Sequence, residues 1–217
     1  MGLGKLLHDH ARQGHAEGTI NHPRAYDVLA SIGFAGRRRE VFTRLAALSG
    51  ARPGDRALDV GCGTGYLTRV LAPLIGSAGR VVGVDPSPSM VEYARRRAPE
   101  NCSYVVGEGQ ALDLPDRSFD VVVTSLAVHH MPEAERGAAV REMFRVLRPG
   151  GRLLVAEFRR PANRLLAGLL SLVGGAAHRH SPRDLLGELI PRAGFHVEGE
   201  GDLPPLLFYV RAVRPRA

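Results

Sequence analysis

The chain has 217 residues, 44% of them hydrophobic and 24% charged, enough to bury one core and too few to require a second domain. Its formal charge of +7 rests almost wholly on arginine, since Lys5 is the one lysine, and apart from Arg37-Arg38-Arg39 and Arg95-Arg96-Arg97 the arginines are dispersed, which weighs against nucleic-acid recognition. Cys62 and Cys102 are too few for a disulfide scaffold and lack CxxC spacing, and the first residues lack the apolar core of a secretory signal, so a cytoplasmic protein without disulfides is expected.

Residues 1–22 are rich in His and Gly and show no period, which reads as an arm or lid. Two short helices are predicted next, over 23–33, opened by Pro23, and over 37–48, where Val41, Leu45 and Leu48 share a face. After the break at Ala51-Arg52-Pro53-Gly54-Asp55, apolar strands are predicted at 57–60, 81–84, 103–106, 119–124 and 153–157. Helices over 64–74, 87–98 and 133–147 fall between them, the last closed by Pro149-Gly150-Gly151. Such alternation predicts βαβ units on a parallel sheet. Further on, 165–177 is an apolar segment, 181–193 reads as a helix with Ser181 as cap, and strands near 195–200 and 206–213 form a terminal pair.

The segment Leu58-Asp59-Val60-Gly61-Cys62-Gly63-Thr64-Gly65-Tyr66 follows the first strand. Its alternating glycines permit a tight turn and a close approach of ligand to backbone. A dinucleotide fingerprint, GxGxxG, would need its last glycine where Tyr66 stands, and Asp59 would repel a pyrophosphate while holding a cationic amino group. Asp85, at the end of the second strand, can accept from both ribose hydroxyls, or alternatively cap the helix that follows Pro86-Ser87.

Four ordered motifs, LDVGCGTG at 58–65, GVDPSPSMVEYAR at 83–95, GQALDLPDRSFDVVVTSLAVHHM at 109–131 and RVLRPGGRLLVAEF at 145–158, resemble the class I S-adenosylmethionine-dependent methyltransferases. The likeness is to the group that holds the ubiquinone and menaquinone C-methyltransferases. It implies an α/β, Rossmann-like fold, with a seven-stranded, mostly parallel sheet, an antiparallel C-terminal strand and helices on both faces. The expected division is an arm with cap helices over 1–50, a cofactor-binding core over 51–158, and acceptor-site cover plus the strand pair over 159–217 of the same domain. It implies S-adenosylmethionine as cofactor, S-adenosylhomocysteine as product, and binding residues Tyr26, Asp59, Gly61, Cys62, Gly63, Gly65, Asp85, Pro86, Met90, Gln110, Ala111, Leu112 and Ser125. Gln110 stands where family members usually carry an acid; its carbonyl can still accept from the adenine amine, without the charge.

Methyl transfer by in-line displacement needs alignment and desolvation, and a base only where the acceptor atom sheds a proton. His129 and His130, after the fourth strand, are the candidates for that base, with a loop-organising role as the alternative. The irregularly spaced His8, Asp9, His10, His15, His22, His178 and His180 give no metal-ligand pattern, and no metal is expected. The 165–177 segment is too short to span a bilayer; packing is the favoured reading, while Arg159, Arg160, Arg164 and Arg179 leave room for peripheral lipid contact. The expected function is methyl transfer to carbon, oxygen or nitrogen of a small hydrophobic or lipid-like metabolite. RNA or protein methylation is an alternative that lacks an NPPY-like motif at Thr124-Ser125-Leu126-Ala127, and a cofactor-binding protein with another reaction, such as cyclisation, is a third. Oligomeric state is not legible.

Overall fold

The computed structural model describes residues 23–159 and 182–216. The arm at 1–22, the apolar segment at 165–177 and the cap at Ser181 therefore lie outside the described residues.

In chain order the elements are α1 (Pro23–Gly33), α2 (Arg38–Leu48), β1 (Arg56–Val60), α3 (Tyr66–Ile75), β2 (Arg80–Asp85), α4 (Pro88–Arg95), β3 (Cys102–Val106) and β4 (Phe119–Ser125). A 3-10 turn (Val128–His130), α5 (Glu133–Val146), β5 (Leu147–Phe158), α6 (Pro182–Arg192), β6 (His196–Leu203) and β7 (Leu207–Val213) complete them. The strands form one sheet in the order β3-β2-β1-β4-β5-β7-β6. β1 to β5 are mutually parallel, and β7 runs antiparallel to both β5 and β6. The strand order reverses between β1 and β4, which is where ligands bind in open α/β sheets.

Alternation along β1 sorts its side chains between two cores. Leu58 and Val60 join Val122, Leu153 and Val155 beneath Val140, Met143 and Val146 of α5 and Leu186 and Ile190 of α6. Ala57 joins Val81, Val121 and Leu154 beneath Val41 and Leu45 of α2 and Leu67, Leu71 and Ile75 of α3. Burial on both faces is why the central strands read as unbroken apolar runs. A smaller cluster of Cys62, Val91, Ala94 and Tyr104 seats α4 against β3, the edge strand, and the glycine loop.

β5 begins at Leu147, six residues before the expected start at Leu153. The Arg148-Pro149-Gly150-Gly151 stretch reads as a turn but bonds the chain beyond β7: Gly150 donates to the Arg214 carbonyl at 2.8 Å and Arg214 donates to that of Gly151 at 2.9 Å. The register with β4 shifts across it, from Phe119 opposite Leu147 to Val121 opposite Arg152, so the extra residues are taken up as a bulge. Arg214 Nη1 also donates to the carbonyls of Phe144, Arg145 and Leu147 at 2.7, 3.1 and 2.7 Å, satisfying the end of α5.

Leu58 is wholly buried at the centre of the sheet. Leu58→Ala is expected to cost about 2–5 kcal/mol, read as a fall in the urea midpoint with an unchanged slope.

Candidate active site

A cavity opens at the carboxyl ends of β1, β2 and β4, and its wall includes Asp59, Gly61, Cys62, Gly63, Asp85, Pro86, Met90, Gln110, Ser125, His130 and Tyr26. These are eleven of the fifteen residues singled out from the sequence. Gly65, Ala111, Leu112 and His129 stand outside it, each for a visible reason. Gly65 is the left-handed start of α3 and packs on Tyr104. Ala111 bridges back to Glu108, and Leu112 is buried in the core with its N–H donated to Glu142 at 2.8 Å. His129 turns to Glu157 instead.

The glycine loop takes its shape from β2. Both Gly61 and Cys62 donate to the Val84 carbonyl, at 2.8 and 2.9 Å, and Gly63 donates to Asp85 Oδ2 at 2.8 Å. Gly61 has φ +73, and a Cβ there would lie 2.3 Å from that of Ala127. At Gly63, φ +52, a Cβ would meet no protein atom and would fill the cavity instead. Asp85 Oδ1 accepts from Ser87 N at 2.9 Å, and the cap of α4 is Ser87, not Asp85. With one bond on each oxygen, the Asp85 carboxylate keeps acceptor capacity for a ligand.

Asp59 is 1% exposed, and its Oδ2 accepts from Thr68 Oγ1 at 2.6 Å. Burial pushes its carboxyl up to about 7 against the partial compensation of the Thr68 bond, and the nearby Asp85 adds to the rise. Burial also raises Asp85 itself and the Tyr26 phenol. Among the described residues no basic side chain pairs with Asp59. The Ser125 hydroxyl, also on the wall, is buried without a partner, and Leu126 beside it holds φ 58, a left-handed backbone that non-glycine residues rarely keep without cause.

Several wall residues escaped the sequence reading. Glu108 is the most instructive, since Gln110 Nε2 donates to its Oε2 at 2.5 Å. A carboxylate thus stands on the wall that the glutamine had been expected to leave uncharged, two positions earlier in the chain. Arg38, Phe42, Thr64, Tyr66, Met131 and Glu135 also contribute. Arg38 falls on the same helical stripe as Val41, Phe42 and Leu45, and a charge within an apolar stripe was the signal available for it. At the far side His129 Nδ1 lies 2.6 Å from Glu157 Oε2, Glu157 Oε1 accepts from Val128 N at 2.8 Å, and the His129 ring centroid is 4.0 Å from that of His130.

Residues 57–151 match the methyltransferase domain family. The ubiquinone/menaquinone biosynthesis C-methyltransferase UbiE of Ectopseudomonas mendocina (strain ymp) is 40% identical over 147 residues, 65% of this chain and 57% of that protein. The chain therefore spans less than two thirds of the length of the curated relatives it matches. Among solved structures, a SAM-dependent methyltransferase from Aquifex aeolicus superposes with TM-score 0.73 at 21% identity, over 89% of this chain and 98% of that one. The [4+2]-cyclase SpnF superposes with TM-score 0.68 at 21% identity, over 82% and 81%. At the level of the domain these likenesses bear out the four-motif resemblance and the class I fold.

A raised folded-state value makes the acid form of Asp59 the stable one, so its contribution to stability is complete below about 4 and is lost as pH rises through about 7. The slope is at most about 1.4 kcal/mol per pH unit in that window. Asp59→Asn is expected to melt higher than the parent at pH 8 and close to it at pH 5, by calorimetry of the ligand-free proteins.

Proposed function

We propose that this protein, whose residues 57–151 match the methyltransferase domain family, is an S-adenosylmethionine-dependent methyltransferase that transfers a methyl group to a small hydrophobic or lipid-like acceptor. The observation that carries this reading is the buried Asp59 carboxylate beside an open glycine loop, with no basic partner among the described residues. A dry, unpaired acid is costly, and a cationic ligand relieves it. S-adenosylmethionine, when bound, supplies an ammonium group and a methyl already activated on positive sulfur.

In this reading Asp59 holds the ammonium group, while Gly61, Cys62 and Gly63 leave room for the methionine chain. Asp85 accepts from the ribose hydroxyls, Pro86 and Met90 cover the adenine, and Gln110 with Glu108 meets its edge. Ser125 offers its unpartnered hydroxyl to the same ligand. Tyr26, Phe42, Leu126, Met131 and Pro132 give the cavity an apolar lining that suits an acceptor without charge. The names of the curated relatives point the same way, toward a quinone-like ring carrying a prenyl tail. Where the acceptor atom carries a proton, His130 on the wall is placed to take it, and Glu157 holds the neighbouring His129. No helix among the described residues is long and apolar enough to cross a membrane, and a protein that meets its acceptor from the cytoplasm accords with the reading.

Calorimetric titration is the direct test. The parent is expected to bind S-adenosylhomocysteine and not NADH, Asp85→Ala to weaken it by ten-fold or more, and Gly63→Arg to abolish it by filling the cavity. Labelled methyl transfer to prenylated phenols is expected from the parent alone. Binding of NADH, or of neither ligand, would overturn the cofactor assignment; binding without transfer to any small acceptor would overturn the methyl-transfer half.

A further inference from the structure

Helix α1 carries its polarity in reverse. Tyr26 lines the cavity, and Asp27 Oδ1 accepts from Arg38 Nη1 at 2.9 Å and from Thr64 Oγ1 at 2.8 Å, so the polar side chains point inward. Val28 and Ile32, one turn apart on the outer side, are 59% and 70% exposed, more than any other large hydrophobic side chain among the described residues. A helix that served only to cover a cavity would turn its apolar stripe toward the core. The outward setting is fixed: Phe34, just past α1, is buried and meets the Phe42 ring edge-on at 5.6 Å, which ties the end of α1 to α2.

The groups around the stripe suit one kind of surface. Arg24 stands one turn before Val28 on the same side and is exposed. Ser31, beside Val28, donates its hydroxyl to the Asp27 carbonyl at 2.7 Å and so spends its donor within the helix. Asp27 is the one acid of α1, and it is paired inward. Beyond the turn at Ala35 and Gly36, Glu40 pairs with Arg37 and Arg44, whereas Arg39, like Arg24, has no ion pair among the described residues. Apolar side chains flanked by unpaired arginines, on a helix with no outward acid, match an interfacial helix, whose apolar face enters the acyl boundary while guanidinium groups meet phosphate. A protein partner would need more, since a stable interface covers roughly 800 Å² on each side, far beyond two side chains of an 11-residue helix.

We infer that the outer face of α1 docks on an anionic phospholipid surface, with Val28 and Ile32 in the acyl boundary and Arg24 and Arg39 at the phosphates. The contact is peripheral and is made by an element distinct from the apolar segment at 165–177. Tyr26 stands on the opposite side of the same helix, so docking brings the cavity wall within about one helix diameter, ~10–12 Å, of the leaflet. One consequence rests on the proposed function: a lipid-like acceptor then reaches the cavity along α1 without its tail crossing water.

The chain contains no tryptophan, so a single one reports on its own surroundings. In Ile32→Trp, vesicles of phosphatidylglycerol mixed with phosphatidylcholine are expected to shift the emission to the blue, and lipids brominated on the acyl chain to quench it. Leu74→Trp, at the far end of α3, is expected to show neither effect. By sedimentation the parent is expected to bind the mixed vesicles at least ten-fold better than phosphatidylcholine alone. Val28→Ser with Ile32→Ser is expected to lose ten-fold or more of that binding at an unchanged melting temperature, and Arg24→Gln with Arg39→Gln to lose the preference for anionic lipid. No vesicle binding by the parent, or emission from Ile32→Trp that ignores lipid, would overturn the assignment. So would a doubly serine-substituted variant that binds as the parent does, since another segment would then make the contact. A parent that dimerises where that variant is monomeric would overturn it too, because a second copy would be covering the stripe. Titration with S-adenosylhomocysteine separates the two readings: a parent that docks on vesicles but does not bind this ligand supports the lipid surface and refutes the proposed cofactor.

Discussion

The structure turns on two carboxylates held dry at the ends of adjacent parallel strands. Asp59 and Asp85 stand near the ends of β1 and β2 and are nearly unexposed, burial raises both, and the nearby Asp85 adds to the cost of ionising Asp59. Nothing in a folding chain favours such an arrangement for its own sake, since each acid would be better solvated at the surface. What the fold does is make it tolerable. Thr68 donates to Asp59, while Ser87 and Gly63 donate to Asp85, so each acid has hydrogen bonds in place of water. The glycine loop is bent to suit: Gly63 can reach Asp85 because its left-handed turn aims the N–H inward. The site is therefore a stored electrostatic demand, one that the cationic, hydroxyl-bearing ligand of the proposed function would satisfy.

The same logic accounts for the basic character of the chain. At the opposite end of the sheet, Arg152 pairs with Asp55, Arg148 with the buried Asp120, and Arg145 with both Glu142 and Asp116. Arg214 uses one nitrogen on three carbonyls to finish α5. Arg95 bonds the Tyr104 carbonyl on the β3 edge through two nitrogens, which leaves that edge less open to further strands. A planar fork that satisfies several acceptors at once does this work better than a lysine, so the surplus of arginine has structural employment throughout the sheet. The +7 charge needs no polyanionic partner to explain it.

Elements with a strong period were legible. The buried strands, α1 to α5 and the terminal antiparallel pair lie within a few residues of their expected positions, because burial on both faces and helical stripes leave clear patterns. The start of β5 was not, since Pro149-Gly150-Gly151 carries turn chemistry and only the contact with Arg214 reveals it as a paired bulge. In the site, Asp59, Gly61, Gly63 and Asp85 were readable because one short stretch of chain supplies the loop and the strand end supplies the acids. Glu108 and Arg38 were not. Glu108 reaches the wall from two positions before Gln110, through a contact that spacing does not announce, and Arg38 comes from a helix that meets the loop only in three dimensions, through Asp27 and Thr64.

That contrast separates the two halves of the cavity. The cofactor side is built from strand ends and backbone N–H groups whose positions follow from the sheet, so its chemistry is written locally. The remaining wall is assembled from side chains that arrive from separate elements: Tyr26 from α1, Phe42 from α2, His130 and Met131 from the turn after β4, Glu135 from the start of α5. The side chains of these residues are not positioned by the sheet's hydrogen bonding, although Phe42 and Met131 also pack against the two cores. In the proposed function, a fold organised this way keeps the cofactor chemistry on the sheet side and leaves acceptor choice to the covering elements. A match to the methyltransferase domain family over residues 57–151 therefore speaks weakly about the proposed acceptor, since α1, α2 and most of the wall they supply lie outside it.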